Sequence, residues 1–184
     1  HTDNRRQRQM CIRDSFLHNG RIPKRAAGWD WQKYLPGDRS DLIWDEQISF
    51  GEMPQLSNPS SGYLLSTNQD PFRVTAANDN LPRENYPPEL GLQTRMTNRA
   101  DRGLTMFAEA ARMSEADFIA VKWDKFYDPK SRAMEYVRRI GDMEFEAGSL
   151  HAKGQAILAA WNGDTARDNR QAALGVCLLS EEWK

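Results

Sequence analysis

Two side-chain amides stand together at Asn68 and Gln69, inside the run Asn58-Pro59-Ser60-Ser61-Gly62-Tyr63-Leu64-Leu65-Ser66-Thr67-Asn68-Gln69-Asp70-Pro71. A polar, proline-terminated turn at the exit of a short apolar strand presents its last side chains at a sheet edge, where amide donors reach a ligand instead of a core. Taken alone, Asn-Gln-Asp-Pro is also ordinary turn chemistry, and the tetrapeptide reads first as a surface turn that ends a strand.

Other chemistries find less support. His18 and His151 sit in polar contexts without a Gly-x-Ser-x-Gly partner, so a conventional nucleophilic triad is not indicated. No two of the histidines and cysteines are spaced i, i+3 or i, i+4, which argues against a zinc site. Asp38 with Asp41, and Asp164 with Asp168, could ligate calcium, but Asp pairs on loops are far more often turn formers or caps. Trp29-Asp30-Trp31, followed by Tyr34-Leu35-Pro36, brackets a carboxylate between two indoles. Large buried area and an indole N–H that wants an acceptor favour a packing corner, and the sharper alternative is one wall of an apolar acyl pocket.

The order of several strings then carries a resemblance. Gly20-Arg21-Ile22-Pro23-Lys24-Arg25, Gly28-Trp29-Asp30-Trp31 with Leu35-Pro36, Glu52-Met53-Pro54, Asn58-Pro59-Ser60-Ser61-Gly62-Tyr63, Asn68 with Pro71, Tyr86-Pro87, and Arg99-Ala100-Asp101-Arg102 follow one another in register. In that order they resemble the penicillin acylase family of N-terminal nucleophile hydrolases. Beyond Arg102 the likeness is looser, resting on helical spacing, a Ser114 cap and Trp161-Asn162-Gly163.

The resemblance implies a self-cleaving proenzyme whose new N-terminal serine attacks a linear amide, with its own α-amine as base. An α-amine of pKa about 7.7–8.0 is poised for that task near neutrality. By the family's pattern Asn68 corresponds to an oxyanion donor, and Arg102 to the arginine beside the nucleophile's amine. No cofactor is implied for the chemistry. The resemblance allows a structural calcium in the full-length parent, with a ligand falling near Glu89, and assigns no metal ligand here. Three departures stand out: Gln69 where many members have a second Asn, Thr67 where some have Trp, and a long excursion over 73–83 like that of acylases acting on acyl-homoserine lactones and lipopeptides. The nucleophilic serine is expected upstream of the sequence, so this chain alone is expected to be inactive. Implied partners are a small-molecule acyl-amide substrate and the remaining large and small chains of the same proenzyme. Export to the periplasm is common in the family.

The elements that must position these residues divide into two kinds. From Phe16 to about Pro88 the chain is rich in Pro, Gly, Asn, Asp and Ser, and brief strands are expected at Asp41-Leu42-Ile43-Trp44 and Tyr63-Leu64-Leu65. After Gly91 the period becomes helical. Thr97 or Asn98 is the expected first cap, ahead of a buried face at Leu104, Phe107, Ala108 and Ala111. Ser114-Glu115-Ala116-Asp117 approximates a capping box for a second helix burying Phe118, Val121 and the Lys122 stem or Trp123. After Asp128-Pro129 a third helix carries Ala133, Val137 and Ile140. A fourth spans 149–161, burying Leu150, Ile157, Leu158 and Trp161. A fifth runs from about Ala166 through Ala172, Ala173, Val176 and Leu179. The expected fold class is α+β: part of an N-terminal nucleophile hydrolase αββα sandwich, with residues 16–90 as its strand-and-loop part and 91–184 as its helical part.

Composition sets the outer limits. With 184 residues, 39% of them hydrophobic, the chain can bury one sizeable core. A net charge of −1, with Lys and Arg scattered outside Arg5, Arg6 and Arg8, gives no nucleic-acid signature. No apolar run approaches the roughly 20 residues that cross a bilayer. Cys11 and Cys177 make no disulfide framework. Residues 1–15 read as a non-native arm, because Met10-Cys11-Ile12-Arg13-Asp14-Ser15 matches the frame ATG TGT ATA AGA GAC AG of a transposon adapter. Ser180-Glu181-Glu182-Trp183-Lys184 reads as a helix cut midway, so the chain is expected to be an interior slice of a larger enzyme. The competing reading, from another class, is a non-catalytic binding or scaffold module whose strand region docks a partner beside a small helical bundle.

Overall fold

The computed structural model describes residues 15–17, 20–110 and 112–180, which fall into two compact units divided between Arg95 and Met96. The architecture is α+β: one two-stranded antiparallel sheet and five α-helices among the described residues. The readings placed on residues 1–14, His18 and 181–184 lie outside the described residues.

The first unit is mostly ordered loop. Strand β1 (Ser15–Leu17) pairs with β2 (Gln55–Ser57), Phe16 lying opposite Leu56. A further bridge at Pro23 and Gln47 is flanked by backbone bonds from Lys24 N–H to Glu46 O and from Ile48 N–H to Ile22 O. Single 3-10 turns at Ser40–Leu42, Phe50–Glu52, Ala77–Asp79, Arg83–Asn85 and Pro88–Leu90 carry the chain between. Prolines shape this half, since Pro82, Pro87 and Pro88 lack a backbone donor and hold φ near one value. Gly91 closes the last turn at φ 64°, and a Cβ there would fall 2.1 Å from Arg25 Nη1, which donates to Glu89 O. The positive φ favours glycine, whereas the Arg25 guanidinium, at the end of a flexible side chain, could shift aside. Met53, Phe72, Val74 and Leu90 supply the unit's buried apolar surface.

The expected strands do not form where the apolar runs stand. Asp41-Leu42 lies in a 3-10 turn, and Ile43 and Trp44 are exposed. Tyr63–Leu65 lies in loop: Leu65 N–H donates to Val74 O and Tyr63 O accepts from the Thr75 hydroxyl, so loop contacts satisfy groups that a ladder would have used. Gln55–Ser57 pairs instead, because strand formation follows an available partner more than intrinsic preference.

In the second unit each of the first four helices starts at the hydroxyl its sequence offers. Thr97 caps α1 (Asn98–Glu109), Ser114 caps α2 (Glu115–Lys122), Ser131 caps α3 (Arg132–Gly141) and Ser149 caps α4 (Leu150–Ala159). Each accepts the backbone N–H three residues on, and at α2 the Asp117 carboxylate accepts from Ser114 N–H in return, completing the box. The last helix, α5 (Ala172–Ser180), begins about six residues later than its periodicity suggests. Asp164 and Asn169 explain the delay, since their side chains accept N–H groups two residues on and hold 164–171 in turns.

Ala133, Val137, Leu158, Trp161 and Leu179 form the core here, with Tyr127, Met134, Ile140, Leu174 and Leu178 packed against it. Burying a Leu or Val side chain is worth about 1.5–3 kcal/mol, so the seam of α3, α4 and α5 dominates this unit's stability. Several residues expected on buried faces are not. Ala108 and Ala173 are exposed, as are Trp123 (69%), Leu150 (83%), Ile157 and Val176. Leu104, Phe107, Phe118 and Val121 are half-buried, with Phe107 and Phe118 meeting edge to face. The side chain of Ala111 lies outside the described residues.

Candidate functional site

Asn68 sits at the exposed tip of a loop that is closed at its base by the Leu65 N–H to Val74 O bond of 2.7 Å. Its φ is +58°, a left-handed conformation that Asn tolerates better than other side-chain-bearing residues except Asp. Both flanks are fixed. On one side Gln69 Oε1 accepts from the Thr67 N–H (3.1 Å) and from the Thr67 hydroxyl (2.6 Å). On the other Gln69 Nε2 donates to Arg73 O, and Asp70 Oδ1 accepts from Phe72 N–H at 2.9 Å. Phe72 and Val74 anchor the far limb of the loop in the interior, with the Tyr86 ring 5.2 Å from Phe72 and the Arg83 guanidinium over its face.

A second layer of polar contacts holds the loop's surroundings. Asn80 Oδ1 accepts from Val74 and Thr75 N–H, and its Nδ2 donates to Thr75 and Ala76 carbonyls. The single Thr75 hydroxyl proton goes to Tyr63 O, so the Ser61 hydroxyl must donate in the bond these two share. Asp79 accepts from the Ser60 hydroxyl (2.7 Å) and Ser61 N–H (2.6 Å). Those two bonds hold its carboxyl below the usual carboxylate range. Burial, and then the Asp79 charge, push the Tyr63 phenol up. The long excursion over 73–83 is therefore a brace for the run from Asn58 to Leu65.

Arg102 projects from α1 in the second unit onto Asp124, which follows α2. Nε lies 3.2 and 3.0 Å from the two carboxylate oxygens and Nη2 lies 2.8 Å from Oδ1. The Arg102 and Asp124 side chains are only 25% and 10% exposed. The guanidinium also stands over the Phe126 ring, 5.5 Å from its centroid. The bond to Asp124 raises the guanidinium's affinity for its proton. Burial works to raise the Asp124 pKa, but the Arg102 bonds, the Phe126 N–H at 3.0 Å and the Arg102 charge outweigh it and leave the carboxyl lowered. Nη1 is hydrogen-bonded to none of the described residues, so this fork still presents donors.

Beside this pair Asp128 is 1% exposed. Its Oδ1 accepts from Lys130 N–H, its own N–H donates to Asn98 Oδ1 at 2.7 Å, and Oδ2 has no hydrogen-bond partner. The Asp128 charge acts on Arg102, making a fixed cation and two carboxylates neighbours in one corner of this unit.

Of the residues singled out in the sequence, Asn68 belongs to the first unit and Arg102 to the second, and each has a defined setting of its own. Trp29-Asp30-Trp31 is built as a packing corner. Trp31 Nε1 donates to Ala26 O at 2.9 Å, Trp31 and Trp44 rings are 5.9 Å apart, and Arg39 stands over Trp29. Asp41 pairs with Arg39 and Asp164 caps Ala166 N–H, which is turn chemistry at both candidate calcium pairs. Near Glu89 the backbone oxygen is taken by Arg25, and no group of three metal-ligating side chains gathers among the described residues. Cys177 is an exposed thiol without a disulfide. No helix is long and apolar enough to cross a membrane among the described residues.

Asp124, Asp128 and the bridging role of Gln69 escaped the sequence reading. Asp124 lies between Trp123 and Lys125 with no spacing that points at Arg102, twenty-two positions away. The one legible hint was Asp128-Pro129, read only as a break. The family model described as Penicillin amidase matches residues 15–183, nearly all of the chain. Its members are amide hydrolases with an N-terminal nucleophile, and this chain belongs to the penicillin amidase family.

Proposed function

We propose that this chain is an internal part of the large-chain region of a penicillin-acylase-like enzyme that hydrolyses a linear amide between an acyl group and an amine. The nucleophile is an N-terminal serine outside these 184 residues, released by self-cleavage, and the fold is completed as an αββα sandwich with the remaining chains of the same proenzyme. The observation that carries the reading is the setting of Asn68: an exposed amide on a left-handed residue at the tip of a clamped loop. Such an amide is preorganised, so it can donate to an oxygen that becomes anionic without reorganising at the moment of reaction.

In that reading the serine hydroxyl adds to the amide carbonyl and its proton passes to the α-amine. The carbonyl oxygen becomes the oxyanion, and Asn68 Nδ2 donates to it. Collapse expels the amine, which takes the proton, and water then releases the acyl group by the same steps. Arg102, held by Asp124, is a fixed fork of donors that orients the catalytic groups around the α-amine. In this reading the nucleophile comes from outside the chain, and the chain by itself is expected to be inactive.

The test is Asn68→Gly in the full-length enzyme, since Gly keeps the left-handed backbone and removes only the amide. Loss of kcat by about 10²–10³, with KM little changed, is expected for one oxyanion donor. Unchanged kcat would remove Asn68 from the oxyanion role. Steady binding of a non-hydrolysable amide by the same variant shows that the fold is intact.

A further inference from the structure

We infer that Gln69 is a positioning residue that holds Asn68 in its donor geometry; this rests on the oxyanion role proposed for Asn68. The primary amide of Gln69 is used at both ends. Its oxygen takes two protons from Thr67, the backbone N–H and the hydroxyl, and its nitrogen gives one to Arg73 O. The residues so joined, 67 and 73, lie on opposite sides of Asn68. The amide is a strap across the loop whose tip carries the donor.

The strap is needed because of what the backbone does at position 68. A left-handed φ of +58° is sparsely populated for a residue with a Cβ, and such a conformation persists only when its surroundings over-determine it. Regular secondary structure does not supply that constraint, as 58–76 contains neither strand nor helix. The bond from Leu65 N–H to Val74 O fixes the loop base, and Phe72 and Val74 fix one limb by burial. The other limb, 66–68, is tied down by Gln69 through Thr67.

Length is decisive for this strap. Asn at 69 is one methylene shorter and cannot keep its oxygen on Thr67 and its nitrogen on Arg73 O together. Glu can keep the acceptor for Thr67 but offers no donor to Arg73 O in its ionised form. Both ends of the Gln69 amide are engaged by Thr67 and Arg73, so its effect passes through Asn68.

The experiment uses the full-length enzyme and the variants Gln69→Ala, Gln69→Glu, Thr67→Val and Asn68→Gly, with steady-state kinetics and amide hydrogen exchange resolved over 65–74. For Gln69→Ala the expected result is a kcat loss of roughly tenfold to a hundredfold, KM within about twofold, and faster exchange at Thr67. Gln69→Glu should keep slow exchange at Thr67 and lose less kcat. Gln69→Ala combined with Thr67→Val should cost little more than Gln69→Ala alone, because both cut the same strap. Wild-type kcat, or unaltered Thr67 exchange, in Gln69→Ala would overturn the inference. Failure of the underlying reading looks different: Asn68→Gly would then turn over like wild type, while Gln69→Ala would still speed exchange at Thr67.

Discussion

Asp124 grips Arg102 through two of the three guanidinium nitrogens, with Nη2 to Oδ1 at 2.8 Å and Nε to Oδ2 at 3.0 Å, and leaves Nη1 outside the grip. This bidentate contact fixes the plane of the guanidinium as well as its position, which a Lys in either register cannot reproduce. Asp124→Asn removes the charge and leaves Arg102 without its partner. A stability loss on the order of 1.5–3 kcal/mol is expected in denaturant titration of the second unit's helical signal. In the full-length enzyme the same variant should lower kcat through a loosened Arg102, and Arg102→Lys should not restore the contact. Equal stability of Asp124→Asn and wild type would show that the pair contributes nothing net.

Two of the carboxylates with lowered pKa values give a test of acid sensitivity. The folded pKa of Asp124 and of Asp79 lies below the ordinary value. For a lowered pKa the contribution to stability is complete above the unfolded value of about 3.9 and is lost as pH falls through the folded value. Wild-type stability should therefore drop below about pH 4, and Asp124→Asn and Asp79→Asn should each show a shallower drop over that window. An unchanged acid limb in both variants would contradict the assigned directions.

Asn68 offers a stability experiment that does not depend on turnover. At φ +58° an Ala pays a steric cost on the order of 1 kcal/mol that Gly does not. Asn68→Gly should accordingly match or exceed Asn68→Ala in thermal stability, although both lose the amide. If Asn68→Ala is the more stable of the two, residue 68 is not held in the left-handed region in solution.

Gly175 tests the core of the second unit. A Cβ there would stand 2.5 Å from the Trp161 ring, whose Nε1 donates to Asp164 O and which meets the Tyr127 ring in a T-shaped contact. Trp161 cannot retreat without breaking that bond, so Gly175→Ala should cost about 1–3 kcal/mol by overpacking. Gly154→Ala is the control, with Leu174 at an ordinary 3.8 Å. A neutral Gly175→Ala would mean that α5 sits farther from Trp161 than described.

What the sequence alone determined was local chemistry. Thr97, Ser114, Ser131 and Ser149 start helices because a hydroxyl three residues ahead of an N–H satisfies it whatever lies beyond, and Ala133 with Val137 marks one buried stripe by spacing alone. Ordered motifs from Gly20 to Arg102 were enough to indicate the family. Tertiary structure decided everything that depends on a partner distant in sequence. Tyr63–Leu65 is apolar enough for a strand, yet its hydrogen bonds went to 74–75, and Gln55–Ser57 paired because β1 lay beside it. Leu150 fits a helical stripe by period but faces outward, since no element covers that face among the described residues. The grip of Asp124 on Arg102 spans twenty-two positions, and the strap of Gln69 needs a loop folded back on itself. Capping and periodicity act within a few residues of the chain; pairing, burial and the aim of a side chain are set by whatever the rest of the chain brings alongside.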